Sequence, residues 1–173
     1  MPEQNEFLYF AYGSNMSARR LATRTPSARM QTIGSLSGHR LTFDKVSRDT
    51  SGKCDCEYTG NDEDRVFGVL YTIAYADRPA LDKAEGLGNG YDACEVTVET
   101  QAGRILACSY RATDKDAALK PFEWYKHHVL AGAREAGLPD DYVATLDMVE
   151  AIVDPNPAQT EKEMLVYRQV PAT

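Results

Sequence analysis

A strand, turn and helix start near the amino terminus constrain the fold of this chain most. Residues 7–12 form an apolar and aromatic run, which indicates a buried strand. Gly13, Ser14 and Asn15 follow as a sharp turn, and Ser17 is a typical N-cap of a short helix. A helix start carries amide hydrogens without intrahelical partners and the positive end of the helix dipole. We therefore expect this loop to bind an anion or a developing oxyanion.

The same loop has other interpretations. Gly, Ser and Asn dominate ordinary turns, so a turn that binds nothing is an open alternative. A nucleophilic Ser14 is disfavoured, because the G-x-S-x-G elbow would need glycine at the positions of Tyr12 and Met16. We expect the loop to bind through its backbone amides.

A second informative stretch covers residues 77–91. Asp77 and Pro79 suit a helix start, and three glycines among residues 86–90 end that helix after Glu85. The helix dipole raises the pKa of a carboxyl at this end by an effect of about 0.3–1 kcal/mol, so burial must supply the rest if Glu85 is to act as a general acid/base. The alternative is an exposed glutamate beside Lys83.

At these two stretches the chain resembles the γ-glutamylcyclotransferase family of the AIG2-like superfamily. Residues 7–15, Phe-Leu-Tyr-Phe-Ala-Tyr-Gly-Ser-Asn, are similar to its amino-terminal signature, and residues 81–86 are similar to its catalytic-glutamate segment. Further similarities follow in the same order, at residues 26–28, 100–103, 109–110 and 132–142. The resemblance extends over roughly residues 6–153.

The resemblance implies a fold and a set of site residues. The fold is α+β, with a small mixed β-barrel and helices packed outside it. Glu85 is implied as the catalytic residue. The implied substrate-binding residues are Tyr12, Gly13, Ser14, Asn15, Met16, Tyr91, Tyr110 and Tyr125. The glycine turn before Tyr91 is one residue shorter than in that family, and residues 53–58 replace its small apolar strand, which predicts a more polar pocket wall.

The implied activity is that of an amide-cleaving cyclotransferase of the lyase/acyltransferase class, with a place in glutathione metabolism. The α-amine of a γ-glutamyl substrate attacks its own γ-carbonyl, which gives 5-oxoproline and a free amine. Glu85 would move the proton. This reaction needs no cofactor or metal. Two alternatives stay open: the same chemistry on γ-glutamylamines or on a γ-glutamyl-protected biosynthetic intermediate, and a non-catalytic domain that binds a γ-glutamyl group or another anion.

Composition narrows the class of protein. The 173 residues, of which 43% are hydrophobic, predict a single domain over 1–173 with its core at about 6–153. A net charge of −7 argues against nucleic-acid binding. The chain has no run of about 20 apolar residues and no apolar leader, so we expect a cytoplasmic protein without a membrane partner. A homodimer is left open.

Cysteine, histidine and arginine patterns add no site. Cys54, Cys56, Cys94 and Cys108 lack metal-ligand spacing and are expected to be free thiols. His127 and His128 are adjacent on a predicted helix and point in different directions, so a packed histidine is expected rather than a ligand pair. We expect a solvated helix face that carries Arg19, Arg20 and Arg24. The alternative is that these arginines steer an anionic substrate.

The remaining pattern predicts an α+β order of elements. Strands are predicted at 6–12, 36–44, 65–73, 92–100 and 104–112. Helices are predicted at about 121–136 and 140–152. The first has a core face of Phe122, Tyr125, Val129 and Ala133, so Tyr125 can be simple core. The second has Val143, Leu146, Val149 or Glu150, and Val153. Residues 154–163 are predicted as a loop, and Met164–Val170 as an edge strand within the carboxyl-terminal segment 154–170.

Overall fold

Five of seven strands close into a small barrel in the computed structural model, which describes residues 2–168. Around the barrel the order is β1, β5, β2, β6, β7. The strands are β1 (Glu6–Ala11), β2 (Arg29–Ser37), β3 (His39–Val46), β4 (Gly52–Tyr58), β5 (Arg65–Ala74), β6 (Tyr91–Thr100) and β7 (Gly103–Ala112). Neighbours are antiparallel except β1 and β7, which close the barrel in parallel at Tyr9 and Cys108. The predicted mixed barrel is confirmed.

The central strand β5 explains why the barrel closes. Its apolar run is buried over most of its length and pairs with β1 on one side and β2 on the other. Gly68 lies where β5 meets β1, and a Cβ there would be 2.4 Å from the carbonyl oxygen of Ala11. This close approach requires glycine. Strands β3 and β4 form a separate two-stranded sheet that flanks the barrel.

The helices lie outside the strands. They are α1 (Ala18–Ala22), α2 (Arg78–Glu85), α3 (Glu123–Ala136), α4 (Asp140–Asp147) and α5 (Pro157–Arg168), with short 3-10 helices at Ser14–Met16 and Tyr75–Asp77. Helix α3 packs directly on the Ser14–Met16 turn through Gly132, where a Cβ would lie 2.3 Å from the backbone nitrogen of Ser17. The loop singled out by the sequence is therefore held between β1 and α3.

Several predicted elements have different boundaries. The strand predicted at 36–44 is two strands, because Gly38 turns the chain with a φ of +70°. The helix predicted at 140–152 ends at Asp147, so Val153 does not join its buried face and is 71% exposed. Leu146 is buried as predicted, and so is the whole predicted face of the preceding helix, which comprises Phe122, Tyr125, Val129 and Ala133.

The carboxyl-terminal prediction is wrong over its described part. Helix α5 covers Pro157–Arg168, so the predicted loop 154–163 is a loop only over residues 154–156. Residues 164–168 are part of this helix and not of an edge strand, while residues 169 and 170 lie outside the described residues. Within residues 2–168, no helix is both long enough and apolar enough to cross a membrane.

Candidate active site

The turn after β1 is fixed at both of its ends. The backbone amide of Met16 donates to the carbonyl of Gly13 at 3.1 Å. The hydroxyl of Tyr71, on β5, donates to the carbonyl oxygen of Met16 at 2.8 Å. Ser17 caps α1 as predicted, since its hydroxyl oxygen accepts a hydrogen bond from the amide of Arg20. Helix, strand and cap thus hold the loop in one conformation.

Helix α2 ends where the glycine run predicts. Gly86, Gly88 and Gly90 have φ angles of +68°, +79° and +118°, which L side chains rarely adopt, so the run turns the chain sharply after Glu85. Asp77 begins the helix but makes no side-chain cap. Its carboxylate instead accepts two hydrogen bonds from Ser27, at 3.0 and 2.6 Å. This contact ties α2 to the chain segment that follows α1.

Glu85 faces the amino-terminal loop. The side-chain amide of Asn15 donates to Oε1 of Glu85 at 2.5 Å, and the hydroxyl of Tyr9 lies 3.3 Å from the same oxygen. Asn15 is oriented in turn by Arg24, whose guanidinium donates to the Asn15 carbonyl oxygen at 3.0 Å. The alternative of an exposed Glu85 is therefore wrong. The loop also acts through a side chain, which its turn chemistry did not indicate.

The environment of Glu85 favours its protonated form. Burial raises the pKa of this carboxyl above its usual range, whereas the charges of Arg24 and Arg20 and the hydrogen bond from Tyr9 act in the opposite direction. Glu85 has no lysine or arginine within ion-pairing distance in the described chain. A shift in this direction is the one that a general acid/base carboxyl needs.

Glu85 and the loop line a small inner cavity with a volume of about 20 Å³. Its walls are Tyr9, Tyr12, Gly13, Ser14, Asn15, Cys54, Glu85, Tyr91, Tyr110 and Tyr125. Every residue that the sequence predicted for the site is present except Met16, which is buried behind the loop. A glutamyl group is larger than this cavity, so such a ligand needs the lining side chains to move or part of it to lie outside.

The tyrosines of the inner cavity are held by hydrogen bonds. Tyr12 donates to the carbonyl of Tyr110 at 2.6 Å, and the hydroxyl of Tyr110 donates to Asp82 at 2.5 Å. Tyr91 donates to the carbonyl of Cys54 at 2.5 Å, and the hydroxyl of Tyr125 accepts from the amide of Cys54 at 2.9 Å. Tyr125 is thus both a core residue and a cavity residue.

An outer cavity of about 440 Å³ opens next to the inner one and shares Ser14, Glu85, Tyr91 and Tyr125 with it. Six of its wall residues are basic: Arg20, Arg24, Lys45, Arg48, Lys53 and Lys83. Glu85 is the acidic residue in this wall. The expected solvated face of Arg19, Arg20 and Arg24 is therefore wrong for Arg20, which is buried, and Arg24 lies beyond the end of α1.

The cysteines and histidines take no part in a metal-binding group. All four cysteines are free, as predicted, and burial raises the pKa of the Cys54 thiol to about 12. His128 is buried and His127 is exposed, which confirms that the adjacent pair points in different directions. In the part of the chain that the structure describes, no three His, Cys, Asp or Glu side chains are arranged to hold a metal ion.

Sequence reasoning missed several of the lining residues. Tyr9 lies on β1 two residues before Ala11, and the alternation of a strand places it on the buried face, but its contact with Glu85 joins positions 76 residues apart. The departure at residues 53–58 did point to a cavity wall, where Lys53 and Cys54 are now found. The basic residues of the outer cavity come from three separate segments, and no local pattern links them.

Comparisons with known proteins show which proteins this chain is similar to. The model of the AIG2-like family matches residues 65–146. Gamma-glutamylcyclotransferase of Bos taurus is 36% identical over 151 residues, which are 83% of this chain and 79% of that protein. The Homo sapiens protein of the same name is 34% identical over 158 residues, or 86% of this chain and 81% of that one. A solved structure of gamma-glutamyl cyclotransferase superposes with a TM-score of 0.81 at 30% identity and covers 95% of this chain and 99% of its own.

Proposed function

Because the chain belongs to the γ-glutamylcyclotransferase family, we propose that it converts a γ-glutamyl amino acid or amide to 5-oxoproline and a free amine. The observation that carries this proposal is the position of Glu85, a part-buried carboxyl hydrogen-bonded to Asn15 where the two cavities meet. The nucleophile belongs to the substrate. The enzyme therefore has to fold the substrate into a ring and move protons from the attacking nitrogen to the departing nitrogen.

Glu85 performs the proton transfer in this mechanism. As the carboxylate, it removes a proton from the substrate α-ammonium, and the freed amine attacks the γ-carbonyl carbon. The new carbon–nitrogen bond gives a tetrahedral intermediate. The ring nitrogen of this intermediate still carries an extra proton. Glu85 returns the first proton to the departing nitrogen as the original amide bond breaks, removes the second proton from the ring nitrogen and passes it to the released amine, so the atoms balance without water. In the described chain, Asn15 and Tyr9 both donate to Oε1, which leaves Oε2 to exchange the proton.

The loop after β1 stabilises the charges that the substrate brings or develops. The amide of Met16 is used within the turn, so the amides of Ser14 and Asn15 are the donors that can face the substrate. They hold its α-carboxylate or the oxyanion of the intermediate. Gly13 gives the substrate backbone access, and Met16 contributes as packing behind the loop. The substrate is enclosed by Tyr12, Tyr91, Tyr110 and Tyr125.

The same proposal covers the reaction class and the cofactor requirement. The reaction is of the lyase/acyltransferase type and uses no cofactor. A place in glutathione metabolism, a cytoplasmic location and a homodimer stay predictions.

A product assay tests the proposed reaction. The purified protein is incubated with γ-glutamyl-alanine, γ-glutamyl-glutamine and a γ-glutamylamine, and 5-oxoproline is measured by chromatography. We expect turnover with the amino-acid conjugates and a rate lower by about 10²–10⁴-fold with Glu85→Gln. Turnover of the γ-glutamylamine alone would favour the alternative substrate class. Binding of all three compounds without 5-oxoproline would indicate a binding domain instead.

A further inference from the structure

The outer cavity contains more positive charge than a γ-glutamyl group requires. The protein as a whole has 26 acidic and 19 basic side chains, yet six basic residues and one acidic residue line this cavity. Two of the six already have carboxylate partners within the described chain: Arg20 pairs with Glu163, and Lys53 with Asp49. Arg24, Lys45, Arg48 and Lys83 form no ion pair within residues 2–168.

The charges in the outer cavity indicate the charge that its ligand carries. The γ-glutamyl group brings an α-ammonium and an α-carboxylate, which cancel, so only Glu85 in its ionised form balances one of the four unpaired cations. Three positive charges remain in the cavity. A γ-glutamylamine brings no charge there, and a neutral amino acid brings one carboxylate.

Lys45 is the most informative of these cations. Its side chain is buried, and its ammonium lies 4.6 Å from the centroid of the Tyr91 ring. The lack of a side chain at Gly90 leaves room for this ammonium, because a Cβ there would lie 2.9 Å from the ammonium nitrogen. A desolvated ammonium without a carboxylate partner is costly, so this position is expected to serve an anion that arrives from outside.

Arg20 gives a second, independent observation. Its side chain is 9% exposed and lines the outer cavity, while its Nε is a buried donor with no hydrogen-bond partner in the described chain. Buried donors are normally satisfied. The same cavity therefore contains an unsatisfied donor on one wall and a buried ammonium on another.

We propose that the outer cavity selects a leaving amine with two carboxylates, that is, an acidic amino acid joined through its nitrogen to the γ-carboxyl of glutamate. The inference rests on the proposed cyclotransferase function and narrows its substrate class. Lys45, Arg48 and Lys53 lie on or beside the β3–β4 hairpin, so this hairpin outside the barrel determines specificity while β1 and α2 provide the chemistry.

The test compares γ-glutamyl-glutamate with γ-glutamyl-glutamine, which have nearly the same shape and differ by one charge. We expect kcat/KM for the acidic dipeptide to be higher by about tenfold or more at low ionic strength, which is the effect of about 1.4 kcal/mol. Addition of 0.5 M sodium chloride should reduce this ratio severalfold, because salt screens charges near the surface.

Variants connect the preference to the cavity. Lys45→Met should lower kcat/KM for γ-glutamyl-glutamate about tenfold and change that for γ-glutamyl-glutamine less than threefold. Arg48→Gln combined with Lys83→Gln alters two exposed side chains and should act in the same direction without a risk to folding. Lys162→Gln, an exposed lysine on α5 outside the cavity, is the matched control and should leave the ratio unchanged.

The outcomes separate the two proposals. Equal or faster turnover of γ-glutamyl-glutamine, with a ratio that neither cavity variant changes, would overturn the preference and leave the cyclotransferase function intact. Failure of the protein to release 5-oxoproline from either dipeptide or from γ-glutamyl-alanine would overturn both.

Discussion

Glu85 and Glu163 are both shielded from solvent, yet their surroundings shift their pKa values in opposite directions. Glu85 lies among tyrosines and one amide, and burial raises its pKa. Glu163 accepts hydrogen bonds from Arg20 and His128, and these partners lower its pKa to about 2 although burial opposes them. Arg20 lies between the two sites and influences both carboxyls. Partners, rather than depth, decide whether a shielded carboxyl can exchange a proton.

The two carboxyls also serve different parts of the fold. Glu163 belongs to a cluster in which His128 Nδ1 lies 2.5 Å from the hydroxyl of Tyr167, and that hydroxyl lies 3.1 Å from Oγ of Ser17. The cluster joins α5, α3 and the cap of α1, so we interpret it as structural. Glu85 joins the loop and α2 with two hydrogen bonds to one oxygen. A proton on Glu85 therefore disturbs little, whereas a proton on Glu163 breaks an ion pair.

The largest effect is expected from Glu85→Gln. The amide keeps the size of the side chain and can accept from Asn15, but it cannot cycle a proton. We expect kcat to fall by about 10²–10⁴-fold, measured as 5-oxoproline release. Because the pKa of Glu85 is raised in the folded state, its ionised form costs stability above that pKa, and the variant should melt at an equal or higher temperature. Activity within a few-fold of wild type at an unchanged melting temperature would remove Glu85 as the proton-transfer residue.

Substitutions in the loop should separate backbone from side-chain roles near Glu85. A Cβ at Gly13 would lie 3.0 Å from Cβ of Cys54 and 3.2 Å from the Tyr125 hydroxyl, so Gly13→Val must displace the loop. Misplacement on the order of 1 Å can cost about 10²-fold in rate. We expect a loss of at least about tenfold in kcat/KM for Gly13→Val, a smaller loss for Gly13→Ala and the smallest for Ser14→Ala.

Ser14→Ala is the control that can contradict this order. The proposal assigns binding to the backbone amide of Ser14, which the alanine variant retains. If Ser14→Ala were as inactive as Glu85→Gln, the serine hydroxyl would need a chemical role, and a nucleophilic serine would return as an explanation.

Glu163→Gln should affect stability rather than chemistry. The variant leaves Arg20 without its carboxylate partner, and removal of one member of a buried pair costs about 3–5 kcal/mol. The pKa gives a similar figure, since a fall from 4.5 to about 2 corresponds to about 3 kcal/mol. Urea denaturation at pH 7 measures the loss. Glu161→Gln on the same helix is the control, because the Glu161 side chain is 70% exposed.

The pH dependence sharpens the same comparison. The pKa of Glu163 is lower in the folded than in the unfolded chain, so its stabilisation is present in full above about pH 5 and is lost as the pH falls toward about 2. The difference between wild type and Glu163→Gln should therefore shrink with acidification. A difference in unfolding free energy that stays constant from pH 7 to pH 3 would show that the Glu163 charge contributes nothing.

Local signals predicted the parts of this site that depend on neighbours in sequence. Ser17 as a cap, the glycine stop after Glu85 and the apolar run of β5 are each determined within a few residues, and the structure confirms all three. The family resemblance supplied the barrel, because a closed barrel depends on pairings such as β2 with β5, which no short window contains.

The incorrect predictions concern residues whose structure depends on contacts that are distant in the sequence. Residues 164–168 include β-branched and aromatic side chains that favour a strand. They form a helix because Glu163 and Tyr167, one turn apart, contact Arg20 and His128. The prediction of a solvated Arg20 is also wrong because of a distant contact. Its partner Glu163 lies 143 residues away in the sequence. A buried ion pair of this kind requires tertiary structure before it can be recognised.

The smallest effects are expected from the thiols and from chelation. Cys54 lines the inner cavity beside Glu85, but burial raises its pKa to about 12, so it stays a neutral thiol near pH 7 and cannot be a nucleophile. The substrate's own amine makes an enzyme nucleophile and a metal-bound water unnecessary. Activity should therefore survive both a strong chelator and the combined Cys54→Ser and Cys56→Ser change, with a moderate loss in the variant from altered packing against Tyr91 and Tyr125. Product release is measured after dialysis against the chelator, with and without added divalent ions. Complete loss on chelation that a divalent ion restores would replace the intramolecular mechanism with metal-assisted hydrolysis, and Glu85 would then have to act on a metal-bound water.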